Sequence, residues 1–320
     1  AVRDLVMGRE ISDWDFTTNA PPEIILGLFP QGFYDNQFGT VGVVNPQEEN
    51  KKDLLGKPSV YEITTFRKEI GYSDKRHPDK VVWGKTLEED LVRRDFTINA
   101  MALAPIGAEQ RTKSKEQRKK NSMHYALCTM KLIDLFGGQK DLKAKLIRAV
   151  GNPEERFNED ALRMLRAIRF ADQLNFKIDK ATELAIKSNA KNLKFISGER
   201  IRDEFIKIVM SNAGAKSIIR LEKCDLLQYL IPELINSIGV GQNLHHIYTV
   251  YEHLINSFDY AVKQNFSLEV RLAALLHDIG KPIAKQGEGK NSTFYNHEII
   301  GAKMTKKILE RLKFPNYILD

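Results

Sequence analysis

At about Leu142 the hydrophobic pattern of this 320-residue chain changes period, and that change limits the folds open to it more than any other feature does. Before it, short runs such as "FGTVGVV" (38–44), "SVYEITTFRKE" (59–69) and "KVVWG" (80–84) alternate between turn signals, as half-buried strands do. After it, the apolar residues return every three or four positions. In "NEDALRMLRAIRFADQL" (158–174), Leu162, Leu165, Ile168 and Ala171 would line one side of a single amphipathic helix. The expected class is therefore α+β, with a small mixed α/β head followed by an almost wholly helical remainder. Four segments are expected: a head over 1–141, a helical neck over 142–205, a helical body over 206–240 and a last helical segment over 241–320.

Composition narrows the class further. Lys and Arg number 49 against 42 Asp and Glu, for a net charge of +7 and a pI near 9.1, which suits a polyanionic partner. The two cysteines, Cys128 and Cys224, are far apart, so neither a disulfide framework nor a cysteine zinc site is expected, and a reducing cytoplasm is the natural setting. No apolar run reaches the length of a membrane span, and the start does not resemble a signal peptide. The stretch 107–125 holds six Lys or Arg and two Glu and reads as a solvated surface insertion, RNA contact being the alternative.

Several constellations offer chemistry. In "SDWDFTTNA" (12–20), strand alternation puts Asp13 and Asp15 on one face and turns Trp14 and Phe16 into a core. Two carboxylates that close repel unless a cation sits between them, and hard oxygen ligands favour Mg²⁺. Glu62, in an alternating strand with Thr64 and Phe66, is either an exposed strand residue or a third acidic ligand. Three such ligands would suit a two-metal phosphoryl-transfer site, for which Arg3, Gly8 and Arg9 offer positive charge and a flexible backbone. In "RRDFTINAMA" (93–102), Asp95 is expected to cap a helical run and to have Asn99 one turn on. Asp95 is then either a plain cap or, with Arg94, a sensor of ribose and phosphate.

Asp160 and Arg163, with Arg166 a turn further, are neighbours if their segment is one helix. They then form an ordinary exposed ion pair or, more sharply, an acceptor beside a donor. Such a pair complements the amino group and ring nitrogen of cytosine or adenine, and opposes the carbonyl and N–H of uracil or guanine.

Six segments, "VRDLVMGREISDWDFTT", "EITTFRKEIGYSDKRHPDKV", "LEEDLVRRDFTINAMA", "LIDLFGGQKDL", "NEDALRMLRAIRFADQLNFKID" and "GERIRDEF", follow the order found in bacterial class II CCA-adding tRNA nucleotidyltransferases and their poly(A) polymerase relatives. The chain resembles that family from Ala1 to about Phe205. The resemblance implies a nucleotidyltransferase head in which Asp13 and Asp15 bind Mg²⁺ and Glu62 is the third carboxylate. It also implies ribose and phosphate recognition by Arg94 and Asp95. Asp160 and Arg163 would then be an amino-acid template for CTP and ATP, supported by Arg166. The implied substrate is the 3′ end of tRNA.

"GYSDKRHPDK" (71–80) is similar to the family's flexible loop that assists the change from C to A addition. The family's opening Gly-Gly pair would lie before Ala1, which implies a cut N-terminus. An enzyme adding only the terminal A, or a poly(A) polymerase, shares these motifs.

From about Gly241 the chain resembles HD-domain metal hydrolases. His253, adjacent His277 and Asp278, and His297 follow that family's order, implying a divalent metal site whose last aspartate would lie past Asp320. The alternatives are a helical packing or tRNA-contact unit, and an HD phosphohydrolase with an RNA-binding head.

Overall fold

The computed structural model describes residues 1–11, 14–36, 39–44, 60–71, 80–106, 130–243 and 247–319. Ser12, Asp13, Phe38, most of the 71–80 loop, the 107–125 insertion, Cys128 and His245–His246 lie outside the described residues. Within them the chain forms two compact units, one holding residues 1–71, 80–144 and 148–151, the other residues 145–147 and 152–319. The class is α+β: strands gather in the first unit and helices fill the second.

In the first unit, β1 (Asp15–Thr18), β2 (Phe33–Asn36), β3 (Thr40–Val44) and β4 (Val60–Thr65) make one sheet in the order β1-β4-β3-β2. The β1–β4 pairing is parallel, the others antiparallel. Val41, fully buried, and Thr65, whose hydroxyl donates to the Ala20 carbonyl at 2.8 Å, fix the inner side of this sheet. Two hairpin ladders follow: β5 (Arg67–Ile70) with β6 (Lys80–Trp83), and β7 (Met101–Pro105) with β8 (Met130–Asp134).

Two expectations for this unit are corrected. Trp14 precedes β1 instead of anchoring it, and Phe16 is 46% exposed, with its ring stacked on Trp14 at 6.3 Å. The pair shelters itself by aromatic contact at the edge of the sheet, because β1 is an edge strand of the ladder among the described residues. The segment 93–102 is no helix. It makes one 3-10 turn, Thr97–Asn99, and passes directly into β7, since the backbone of Phe96 bridges to Ala149 and the Thr97 N–H donates to the Arg148 carbonyl. These pairings tie the segment to a distant strand-like partner, and tertiary pairing overrides the local helical pattern.

The second unit is built around the helix Leu162–Leu174. Leu165, Ile168, Ala171 and Met164 are completely buried there, and Leu162 nearly so. The expected continuous helix 158–174 is broken at Asp160, which adopts an extended conformation (φ −145°, ψ 104°) at the end of the helix Pro153–Glu159. The break is local chemistry: the Asp160 carboxylate accepts the Leu162 N–H at 3.1 Å and so starts the next helix from its own side chain. Beside these helices runs Gly198–Val209, joined to Leu162–Leu174 by a buried ion pair, Arg169 Nε to Glu204 Oε1 at 2.5 Å.

After the helices Gly214–Lys223, Leu227–Leu230 and Pro232–Ile235 come Val250–Lys263 and Leu268–Leu276. Their turn is gripped by Arg271, which is fully buried. Its guanidinium donates to the carbonyls of Phe266 (2.9 Å) and Val209 (3.0 Å) and to Asn265 Oδ1 (3.1 Å). No helix among the described residues is long and apolar enough to cross a membrane. Cys224 is buried as a free thiol, and burial pushes it up to about 11.

Candidate functional site

Three clusters bring expected residues together, each within one unit, and a further group around Asp160 takes partners that were not expected. The first crosses the main sheet. Asp15 on β1 is the Cα partner of Glu62 on β4, and Glu62 is the partner of Gly42 on β3. Partners on neighbouring strands project from the same face, so the two carboxylates stand side by side, and both are exposed. Paired, exposed carboxylate oxygens are the donor set that a hard divalent cation requires. Asp13, the expected companion, lies outside the described residues.

The second cluster is a polar network at the 3-10 turn. Arg3 Nη1 donates to Asn99 Oδ1 (3.1 Å), and Asn99 Nδ2 donates to Asp95 Oδ1 (3.1 Å), which also accepts the Phe96 N–H (2.7 Å). Arg94 reaches the Asn99 carbonyl at 3.4 Å and Asp90 Oδ2 at 3.2 Å. The fold thus brings Arg3, Arg94, Asp95 and Asn99 together. It corrects the expected cap, because the N-cap position of the turn falls on Phe96, while Asp95 binds the Asn99 side chain and the amide of the very next residue. Asp90 was not anticipated. Its carboxylate is fully buried and held by Arg93 (2.5 Å) and Arg94. The only sequence signal for it is an acid three and four residues ahead of two arginines.

In the second unit the expected Asp160–Arg163 pair is not made, because the chain breaks between them and the two side chains turn to other partners. Asp160 is held by a fork from Arg200, Nη2 to Oδ2 at 2.7 Å and Nη1 to Oδ1 at 3.2 Å. Arg163 donates to Glu159 Oε2 (2.7 Å) and to the Arg156 carbonyl (3.2 Å). Arg166 lies over the Phe170 ring at 5.3 Å. Arg200 and Glu159 were therefore missed as partners, Arg200 because 40 residues of sequence separate it from Asp160.

The third cluster unites all four residues of the expected His/Asp set. A capping box between Thr249 and Glu252 starts the helix that carries His253. His253 Nε2 lies 3.1 Å from His277 Nε2 and 3.4 Å from Asp278 Oδ2, and His277 Nε2 is 3.3 Å from the same oxygen. His297 Nε2 is 3.4 Å from the other oxygen, Oδ1. Its helix can come this close because Gly280 and Gly301 face each other; a Cβ on Gly280 would stand 2.6 Å from the Gly301 nitrogen.

The carbonyls of Ala274 and Phe294 lie 3.1 Å from His277 Nδ1 and 2.7 Å from His297 Nδ1. A carbonyl only accepts, so each Nδ1 carries the proton and each Nε2 turns towards the carboxylate. Ligand atoms of His253, His277 and Asp278 all lie within 4.8 Å of one another. Separations of 3.1–3.4 Å match neighbouring ligands around one ion about 2.0–2.2 Å from each, so the set fits a divalent metal.

Burial opposes ionisation of Asp278, yet hydrogen bonds from His277 and Lys281 hold its carboxyl well below the usual range. The same contact with Asp278 raises His277. Lys281, itself buried, donates to Asp278 Oδ2 (2.7 Å) and to Gln242 Oε1 (2.7 Å); Lys281 and Gln242 are partners that the sequence did not single out.

Comparison with known proteins gives three matches in chain order. Residues 1–113 match the family described as Poly A polymerase head domain, residues 175–238 the probable RNA and SrmB-binding site of polymerase A, and residues 250–320 the HD domain. A CCA-adding enzyme of Lactobacillus helveticus is 46% identical over 209 residues, 65% of this chain and 44% of that protein. One of Leuconostoc citreum is 42% identical over 231 residues, 72% of this chain and 49% of the relative. The chain therefore spans about half the length of the curated relatives it matches. Among solved structures, the Bacillus stearothermophilus CCA-adding enzyme in complex with CTP superimposes with a TM-score of 0.59 at 29% identity, covering 100% of this chain and 62% of that one.

Proposed function

We propose, from the premise that this chain belongs to the poly(A) polymerase head-domain family, that it carries the nucleotide-adding machinery of a CCA-adding enzyme, which extends tRNA 3′ ends from CTP and ATP. The observation that carries this reading is the adjacent placement of Asp15 and Glu62 on one sheet face of the matched head. In the reaction a terminal 3′-hydroxyl oxygen bonds to the α-phosphorus of the incoming nucleotide. The α–β phosphate bond breaks, pyrophosphate leaves and the hydroxyl proton passes to solvent. Asp15 and Glu62, with Asp13, would hold Mg²⁺, whose charge when bound offsets that on the transferred phosphate.

The chain's own groups then divide the remaining work. Arg3 and Arg94 supply positive charge for the triphosphate, and Asp95 and Asn99 supply acceptors and donors for a ribose. Asp160 accepts from the amino group of cytosine or adenine, and Arg163 donates to the ring nitrogen beside it, with Arg166 in support. The Arg200 fork and the Leu162 amide keep Asp160 in one orientation and occupy most of its acceptor positions, so it presents a single direction to a base. We assign the head to 1–141, the neck to 142–205, the tRNA-binding body to 206–240 and the HD segment to 241–320. A cytoplasmic setting goes with tRNA as substrate.

Incubation with tRNA lacking its CCA, Mg²⁺ and single nucleotides tests the reading. C should be incorporated without ATP, and A only after C. Incorporation of A alone, on tRNA already ending in CC, would replace the reading with an A-adding enzyme; unordered A tailing would replace it with a poly(A) polymerase. Asp160→Ala should lower discrimination between CTP and UTP by roughly 10- to 100-fold, the 1–3 kcal/mol scale of one well-placed base contact. Unchanged selectivity would remove Asp160 from base choice.

For the HD segment we propose a divalent transition metal on His253, His277, Asp278 and His297. Elemental analysis of the dialysed protein should find about one ion per chain, and His277→Ala should lose it. Equal metal content in the variant would show that these residues do not hold it.

A further inference from the structure

The row of cross-strand partners that begins with Asp15 and Glu62 does not end at Gly42. Gly42 is in turn the partner of Phe33 on β2, so Asp15, Glu62, Gly42 and Phe33 form one line across all four strands on one face. The Phe33 ring lies over Gly42: a Cβ built there would meet its Cζ, Cε2 and Cε1 atoms at 2.6, 2.9 and 3.0 Å. The ring therefore leans inward along the row, towards the strand bearing Glu62. It is nonetheless 42% exposed, an aromatic surface left open beside two carboxylates. Only glycine at position 42 allows that pose, since any side chain would force the ring outward.

We propose that Phe33 is a stacking platform for the base of the tRNA's terminal nucleotide, the one whose 3′-hydroxyl reacts. This inference rests on the nucleotidyl-transfer reading above. The incoming base is assigned to hydrogen-bonding groups, Asp160 and Arg163, which choose it. The terminal base must be accepted whatever it is, because it differs before the first addition and changes as C and then A are added. Hydrogen-bond readout of that base would halt the reaction after one step. Stacking on an aromatic ring tolerates every base, since each has a π-face, and it fixes the plane of the nucleotide without reading its edge. An open ring in line with the carboxylates meets that need, and the matching position on β3 is cleared for it.

The test measures KM for tRNA ending at the discriminator base, at C and at CC, and separately KM for CTP. Phe33→Ala should raise KM for all three tRNAs about tenfold, at the lower end of the range for loss of one base–aromatic stack, with KM for CTP unchanged. Phe33→Trp should restore the wild-type value and Phe33→Leu should not, whereas a ring that only fills space would be replaced adequately by Leu. Gly42→Ala should reproduce the tRNA defect with the ring still present, folding being verified by circular dichroism. An unchanged KM for tRNA in Phe33→Ala, full function in Phe33→Leu, or a shift confined to CTP would each overturn the proposal. If the wild-type chain transfers nothing, the nucleotidyl-transfer reading itself fails; if it transfers and Phe33→Ala behaves like it, only the platform fails.

Discussion

Asp15→Asn should reduce nucleotidyl transfer by on the order of a thousandfold, the scale on which phosphoryl-transfer enzymes respond to loss of one charge-stabilising group. The substitution keeps size and shape and removes one negative charge from the exposed pair formed with Glu62. A neutral amide is a poor ligand for a hard divalent cation, and it cannot restore the charge that draws the cation to the sheet. Single-turnover rates at saturating Mg²⁺ should therefore fall while the dissociation constant for tRNA changes by less than about threefold, because RNA affinity comes mainly from Lys and Arg contacts to phosphate. Glu62→Gln should act in the same sense. Transfer within about tenfold of wild type in Asp15→Asn would remove the residue from catalysis, and a parallel loss of tRNA binding would indicate a damaged head.

The largest stability effect is expected far from that chemistry, at Arg271. Its side chain is fully buried and joins the end of the helix Gly198–Val209 to the turn before Leu268–Leu276. Replacing it with methionine preserves much of the volume but leaves the carbonyls of Val209 and Phe266 and the Asn265 side chain without their donor. Stranding the buried Val209 carbonyl costs about 1–3 kcal/mol, and the lost bonds to Phe266 and Asn265, which are exposed residues, about 0.5–1.5 kcal/mol each, roughly 2–6 kcal/mol in total. For a unit of this size that lowers the melting temperature by roughly 10 °C. Thermal unfolding followed by circular dichroism reads it directly, and a loss below about 1 kcal/mol would show that solvent or neighbouring donors replace the guanidinium. Arg271→Lys should recover only part of the loss, since one ammonium cannot reach three acceptors spread around a planar fork.

Much of the architecture was legible where a single period ruled a segment. The buried stripe of Leu162, Leu165, Ile168 and Ala171 was visible as spacing, and β4 as alternation, because each element packs one face and the pattern records which. The His253, His277, Asp278 and His297 set was legible through the resemblance to HD domains, and the fold assembles all four. The features that escaped were set by partners distant in sequence. Asp160 is turned by Arg200 and by the amide of Leu162, so the apparent ion pair with Arg163 dissolves even though their spacing fits a helix. Segment 93–102 has a helix-like pattern, yet backbone pairing at 148–149 converts it to a turn and a strand. Phe16 reads as a core residue by alternation, but alternation does not say whether an edge strand has anything packed beyond it.

The helix Gly198–Val209 is held at both ends and in the middle: Arg200 grips Asp160, Glu204 grips Arg169, and the Val209 carbonyl is gripped by Arg271. Three fixed points along one rod also fix its phase. Each added residue rotates the downstream part of the helix by about 100° and advances it by about 1.5 Å. One residue inserted between Arg200 and Glu204 would keep every side chain in the segment, yet leave the fork on Asp160 and the buried ion pair unable to form together. Substitutions on the outer face of this helix should be tolerated, whereas a change in its length should not, and the aim of the carboxylate at Asp160 is kept by counting residues as much as by choosing them.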